Sequence, residues 1–239
     1  MPRWFDPDVL AHEQAKARKT PPQELPITGD FGSYAVVNRG QGLAQSGIQS
    51  HNLIHTRSRI VAYDILLGRK RLSRIADLGC GIGLTTNALA QHYPDAEVTG
   101  IDVSVDAIEY ATRTFPNAHF LEQAISPSQP IGGLFDLILC QEFYPFTRTA
   151  DRDLHSAFVV SLIDQLAPGG VLLIELSSRD RATSILATIG DIGVPAEIRT
   201  LPLDKLFRNF PLFGPALLLS RLICLALSHP LNKCILIRK

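Results

Sequence analysis

The chain has 239 residues with 23 acidic and 23 basic side chains, so it lacks the basic excess that a nucleic-acid surface requires. Its 46% apolar and 19% charged residues support one large core with room for a small appendage. Cys80, Cys140, Cys224 and Cys234 are widely spaced with no C-x-x-C pair, which points away from a zinc site or a disulfide framework and towards a reducing cytosol. The amino terminus has mixed charges and no apolar run of secretory-signal length.

Residues 1–30, punctuated by Pro21, Pro22 and Pro26 and helical only around Val9 to Lys16, read as a partly ordered appendage. Residues 31–239 read as one domain. Helical periodicity is clear from about Ile48 to Leu67, through Leu53, Ile54, Ile60, Val61 and Ile65. A basic turn, GRKRLSR, leads into a buried strand at 74–79. Gly79, Gly81 and Gly83 then open a helix over 83–92 that carries Leu84, Ala88 and Leu89 on its apolar side. Glycine is needed where a chain bends sharply and a ligand must lie against bare backbone.

This loop departs from the dinucleotide pattern G-x-G-x-x-G, because Leu84 stands where the third glycine belongs. Asp77, two residues before the first glycine, would repel a phosphate but suits a ligand bearing an ammonium or sulfonium charge. The next strand, 96–102, ends on Asp102 with Val103 after it, where an acid can accept both hydroxyls of a ribose. A helix over 104–114 follows, with Ser104 as its N-cap. Two strand-turn-helix units in series imply a parallel sheet with right-handed crossovers.

A third strand is expected over His119 to Ile125, a loop over Ser126 to Leu134, and a fourth strand over Phe135 to Gln141, whose apolar run suits burial on both faces. A helix over Asp151 to Leu166 carries His155, and Pro168, Gly169 and Gly170 turn into a fifth strand ending at Leu176. A helix over Ala182 to Ile189, ended by Gly190, and strands over Ala196 to Leu203 and Lys233 to Arg238 complete the pattern. The expected fold is α/β, a doubly wound, Rossmann-like sheet of seven strands.

The D-x-G-x-G-x-G stretch resembles motif I of the class I S-adenosylmethionine (SAM) dependent methyltransferases. YPDAEVTGIDVS, FPNAHFLE and the L-x-P-G-G turn at 166–170 resemble stretches of the trans-aconitate and ubiquinone-biosynthesis-like small-molecule group. The resemblance spans about Phe31 to Leu176. It implies a mostly parallel sheet with the last strand antiparallel, and an N-terminal helical lid over residues 31–67. Tyr34, Arg39, His51 and Arg57 in that lid either meet the cofactor's carboxylate or the substrate, or are solvated and make local bonds.

The resemblance further implies SAM as cofactor, bound by Asp77, Gly79, Cys80, Gly81 and Gly83 at the methionyl part and loop. Asp102 and Val103 would take the ribose side, Gln123, Ala124 and Ile125 the adenine edge, and Gln141 the methionyl amine. Ala124 stands where the family usually has an aspartate, so the adenine contact must come from backbone, from Gln123 or from Glu122, or be absent. Phe146 lies where related enzymes often have a histidine. The implied reaction moves a methyl group to an oxygen, nitrogen or carbon nucleophile of a small or lipid-linked molecule, with no metal. Glu142 and His155 are candidate bases and Tyr144 a positioning group. The rival readings are a SAM-binding protein without turnover and a nicotinamide-dependent oxidoreductase, the latter disfavoured by Leu84 and Asp77.

Residues 204–230 form an apolar helical insertion before the last strand. From Pro215 to Ser228 its polar positions, Ser220, Arg221, Cys224 and Ser228, recur about one turn apart, leaving a wide apolar face. From Asp204 to Lys239 there are six Lys and Arg against one acid, and the run is too short for a membrane span. The insertion packs on the protein's own core or a homodimer partner, walls a greasy acceptor, or docks on a membrane surface, which would make a cytoplasmic protein peripheral to the membrane.

Overall fold

The computed structural model describes residues 49–176, 179–201, 215–226 and 232–239. The expectations for the 1–30 appendage, for the 31–48 part of the lid with Tyr34 and Arg39, and for residues 202–214 and 227–231 lie outside the described residues. The elements in chain order are α1 (Gln49–Leu67), β1 (Arg74–Leu78), α2 (Leu84–His92), β2 (Glu97–Asp102), α3 (Val105–Thr114), β3 (His119–Glu122) and β4 (Phe135–Gln141). They continue with α4 (Tyr144–Arg148), α5 (Arg152–Asp164), β5 (Leu166–Leu176), α6 (Arg179–Asp191), β6 (Ala196–Thr200), α7 (Pro215–Ala226) and β7 (Lys233–Arg238).

The seven strands form one sheet in the order β3-β2-β1-β4-β5-β7-β6. Strands β1 to β5 are parallel, and β7 runs antiparallel to both β5 and β6. This is the α/β doubly wound architecture read from the sequence.

Strands covered on both faces have no polar alternation, and the two faces of this sheet show why. Ile75, Leu137, Leu139, Val171 and Leu173 point to one side, against Ile60, Tyr63 and Leu67 of α1 and Ala88 and Leu89 of α2. Their chain neighbours Ala76, Ile138, Leu172 and Ile174 point to the other, against Phe158, Val159 and Leu162 of α5 and Ile185 and Ile189 of α6. Each aliphatic side chain so buried contributes about 1.5–3 kcal/mol. The central strands therefore set the site's rigidity.

Three local expectations are corrected, and one further element is found. β3 stops at Glu122, opposite Asp102 where its partner β2 ends, with Gln123 N making the last bond to Asp102 O. β5 does not begin after the Pro168–Gly170 turn but runs through it: Phe135 pairs with Leu166 and Leu137 with Val171, so the turn is a bulge inside the strand. Gly169 N and Lys239 N donate to Lys239 O and Gly170 O, which ties that bulge to the carboxyl-terminal residue. A short helix, α4, occupies the stretch after β4, with Pro145 in its first turn, where a missing N–H costs nothing. Gly190 falls inside the last turn of α6 rather than ending it.

The chain winds from β1 through β2 to β3 on one side, then returns so that β4 pairs with the other edge of β1. Between the carboxyl ends of β1 and β4 the crossovers diverge, the switch point in whose crevice open α/β sheets bind their ligands.

Candidate active site

The loop after β1 hangs from β2: Gly79 N and Cys80 N both donate to Ile101 O, at 2.8 and 3.2 Å. Gly83, the last of its glycines, has φ +80, and a Cβ there would lie 2.6 Å from the Phe120 ring and 2.9 Å from Ala111 Cβ. Only glycine satisfies both the left-handed backbone and the close approach of β3 and α3. Gly79, also left-handed at φ +73, is exposed at the crevice, with Phe143 Cδ2 3.1 Å from where a Cβ would stand.

Asp102 closes the same loop from the tip of β2. One of its oxygens accepts Gly81 N at 2.8 Å, and the other accepts Ser104 N at 2.9 Å. A carboxylate has about four acceptor directions, so each oxygen keeps one for a diol. Ser104 caps α3 by accepting from Ala107 N at 3.4 Å.

Asp77 does not reach the crevice surface. It is 2% exposed and its Oδ2 accepts from Thr86 Oγ1 of α2 at 2.7 Å, so it braces the loop from below. Burial raises its carboxyl to about 7, opposed by the Thr86 hydroxyl and assisted by the Asp102 charge. Gln141, at the end of β4, accepts from Thr85 Oγ1 at 2.9 Å, which fixes its amide beside the glycine loop. On the other flank, Gln123 N donates to Asp102 O at 3.0 Å. Ala124 is exposed there, Ile125 packs on the core edge, and Val103 and Cys80 are half-buried.

After β4 the backbone kinks. Glu142 has φ +50, an uncommon conformation for a side-chain-bearing residue, and its N–H donates to Glu175 O at 3.1 Å. The kink exposes Glu142, while Tyr144 at the start of α4 is half-buried. His155 is placed elsewhere. Its ring is 2% exposed, with Nε2 2.9 Å from both Pro145 O and Thr149 Oγ1 and with Phe146 beside it. It fastens α4 onto α5, so the expectation of a base at His155 is corrected: substrate has no access to it. Arg57 donates to Gln91 on an exposed face, and His51 falls in the first turn of α1.

A second polar group, which sequence reading missed, sits at the end of β5. Glu175 is fully buried; it accepts from Tyr63 OH and Asn232 Nδ2, and Arg59 Nη1 lies 3.7 Å from it. Burial is the largest single influence on Arg59 and works against its charge, but Glu175, Tyr63, Glu142 and Cys234 together raise the guanidinium's pKa; the Tyr63 hydroxyl is held well above its usual value, by burial first and by Glu175 next. One signal was available. Glu175 is the single charge in the run VLLIEL, and a charge inside a two-sided strand needs a partner.

These features coincide with known families. Residues 75–170 match the family described as "Methyltransferase domain". Trans-aconitate 2-methyltransferase of Rhodopseudomonas palustris (strain BisB18) is 32% identical over 103 residues, 43% of this chain and 38% of that protein. The Delftia acidovorans protein of the same name is 36% identical over 124 residues, 49% of this chain and 44% of that one. The chain thus spans less than half the length of these curated relatives. Among solved structures, the plantazolicin methyltransferase BpumL, in complex with a pentazolic desmethylPZN analog and SAH, superposes with a TM-score of 0.56 at 17% identity, over 97% of this chain and 98% of that one. The N-methyltransferase NodS of Bradyrhizobium japonicum WM9 gives 0.52 at 17% identity, over 76% and 85%.

The fold is that of the class I SAM-dependent methyltransferases. Residues 75–170, from the first strand to the bulge of the fifth, are the stretch that is similar to the methyltransferase-domain family.

Proposed function

We propose that the protein is a SAM-dependent methyltransferase acting on an oxygen, nitrogen or carbon nucleophile of a small or lipid-linked molecule. The observation that carries this reading is Asp102, held by backbone N–H groups on both oxygens beside the glycine loop, with acceptor capacity left for a ribose diol. The strand order supports it against a nicotinamide oxidoreductase, since the antiparallel β7 inserted between β5 and β6 departs from the dinucleotide-binding order.

The residues present fit the cofactor. Asp102 and Val103 take the ribose, Gln123 to Ile125 border the adenine, and Gly79 to Gly83 offer bare backbone to the methionyl part, with Gln141 beside it. Asp77 acts from beneath the loop, through its charge on the field at the sulfonium side. When bound, SAM supplies an electrophilic methyl on a positively charged sulfur.

What the chain itself contributes is alignment and exclusion of water. Phe143, Phe146 and Phe158 form an edge-to-face cluster that holds the backbone after β4 in place. That cluster fixes where Glu142 and Tyr144 stand. In this reading Glu142 holds the acceptor's proton and Tyr144 orients the acceptor.

The test is calorimetry with S-adenosylhomocysteine. Wild type binds, and Asp102→Ala weakens affinity about tenfold or more through the lost hydrogen bonds. Absence of binding by the wild-type protein would remove the reading.

A further inference from the structure

β6 and β7 are antiparallel neighbours, and Leu201 N donates to Asn232 O at 3.0 Å just beyond their last pair, Thr200 with Lys233. A tight hairpin would close the chain there. Instead the connection contains α7. Because Lys233 pairs with Leu176 at the end of β5, this connection leaves and rejoins the sheet at the carboxyl ends of the parallel strands. Asn232, the residue at which it rejoins, is itself bonded to Glu175. The helix is therefore tethered at the acceptor side of the crevice.

Its exposed face is the wrong one for a helix that belongs to the core. Leu218, Leu219, Leu222 and Ile223 are 60, 59, 54 and 39% exposed, and their spacing of one, four and five residues puts them on one side. Pro215 and Ala226, also exposed, extend the same stripe. Positions 220, 221 and 224, a serine, an arginine and a cysteine, fall on the opposite side of the helix. No other described element packs extensively on α7.

Two quantities decide between occupants. The four large side chains expose roughly 400 Å² of apolar surface, about half of what each partner of a standard protein interface contributes. The connection between β6 and β7 carries Lys205, Arg208 and Arg221 against Asp204 alone, while Lys233 and Arg238 are engaged within the sheet by Thr200 and Glu197. A second copy docking here would bring like charges together across a small interface, whereas an anionic lipid surface rewards both the stripe and the charge. Among the described residues no helix is long and apolar enough to cross a membrane. Twelve residues make a helix about 18 Å long, suited to lying in the interface.

We infer that α7 docks the protein on an anionic membrane surface and that the methyl acceptor is an amphiphile resident in that membrane, presented to the carboxyl ends of β4 and β5. The second half rests on the methyltransferase reading; the first does not.

Flotation tests docking. Full-length protein rises with phosphatidylcholine vesicles containing phosphatidylglycerol, and Leu218→Ser combined with Leu222→Ser lowers vesicle affinity at least tenfold. Both positions are exposed, so S-adenosylhomocysteine affinity stays unchanged in that variant and reports an intact fold. Lys205→Glu with Arg208→Glu weakens docking on anionic vesicles only. Wild type left at the bottom of the gradient, equal flotation on pure phosphatidylcholine, or a dimer in sedimentation velocity that the double serine variant dissociates would each overturn the docking claim. For the acceptor, methyl-labelled SAM is incubated with native membrane vesicles. Label in the solvent-extractable lipid fraction, reduced tenfold in the double serine variant, is expected; label confined to water-soluble products overturns it. Docking without S-adenosylhomocysteine binding would leave the membrane claim standing and remove the enzymatic one.

Discussion

The two halves of the crevice are built by different means. The half around β1 and β2 is made of backbone: glycines at φ +73, +53 and +80, amide groups, and one carboxylate pinned at both oxygens by N–H donors. The half around β5 is made of side chains from distant segments, with Tyr63 and Arg59 of α1 and Asn232 of β7's approach converging on Glu175. A backbone cradle tolerates little change of shape but holds no charge in reserve. A side-chain cluster stores much of its energy in a buried ion pair, so it fails when one partner is removed.

The largest expected effect is on the β5 side. Glu175→Ala leaves the Arg59 guanidinium beside an empty, buried position, and breaking such a pair costs about 3–5 kcal/mol. Urea unfolding measures it. A loss below about 1 kcal/mol would show that the cluster is not the brace of α1. Tyr63→Phe, which removes one bond to the same carboxyl, should cost less, about 1–2 kcal/mol.

On the β1 side the comparable effect depends on pH. Burial pushes the Asp77 carboxyl up to about 7 in the folded chain, from about 3.8 for a free aspartate. The folded state therefore holds a proton that the unfolded state has already released between those values, and stability falls as pH rises from about 4 to about 7. Below that window both states are protonated and the contribution is fully present. The loss amounts to roughly 4 kcal/mol at most. Asp77→Asn keeps the Thr86 contact and should flatten this slope in thermal melts at stepped pH. An unchanged slope would assign it to other groups.

A smaller effect separates binding from folding within the same half. Asp102→Ala costs about 1.4 kcal/mol or more of S-adenosylhomocysteine affinity, while the loop keeps its bonds to Ile101 O. The smallest prediction concerns the seam between the halves. Glu142→Gly relieves the left-handed backbone and should stabilise by about 0.5–1 kcal/mol, part of the strain being offset by glycine's larger unfolded-state entropy. If Glu142 holds the acceptor's proton, the same variant loses turnover. Stability and activity moving together would argue against that role.

How much of this was legible follows from the range over which each feature is encoded. The glycine loop, Asp77, Asp102 and Ser104 lie within about thirty residues of one another, and their spacing alone announces a strand, a tight turn and a capped helix. The apolar runs of β4 and β5 announced two-sided burial. Boundaries were less legible: nothing local tells Pro168–Gly170 that it will bulge inside a strand rather than precede it, because the carboxyl-terminal Lys239 holds it there. Tyr63, Glu175 and Asn232 are separated by 112 and 57 positions, so no window of sequence contains the cluster. His155 shows the opposite failure, a residue of catalytic type whose burial only packing could reveal.

The sequence by itself determined the winding of the sheet and the backbone cradle, since hydrophobic period, glycine placement and capping act between near neighbours. Tertiary structure alone decided which polar side chains meet, which are sealed from substrate and which way α7 turns its leucines. Those outcomes depend on distant segments competing for the same buried volume, where one unpartnered charge outweighs any local preference.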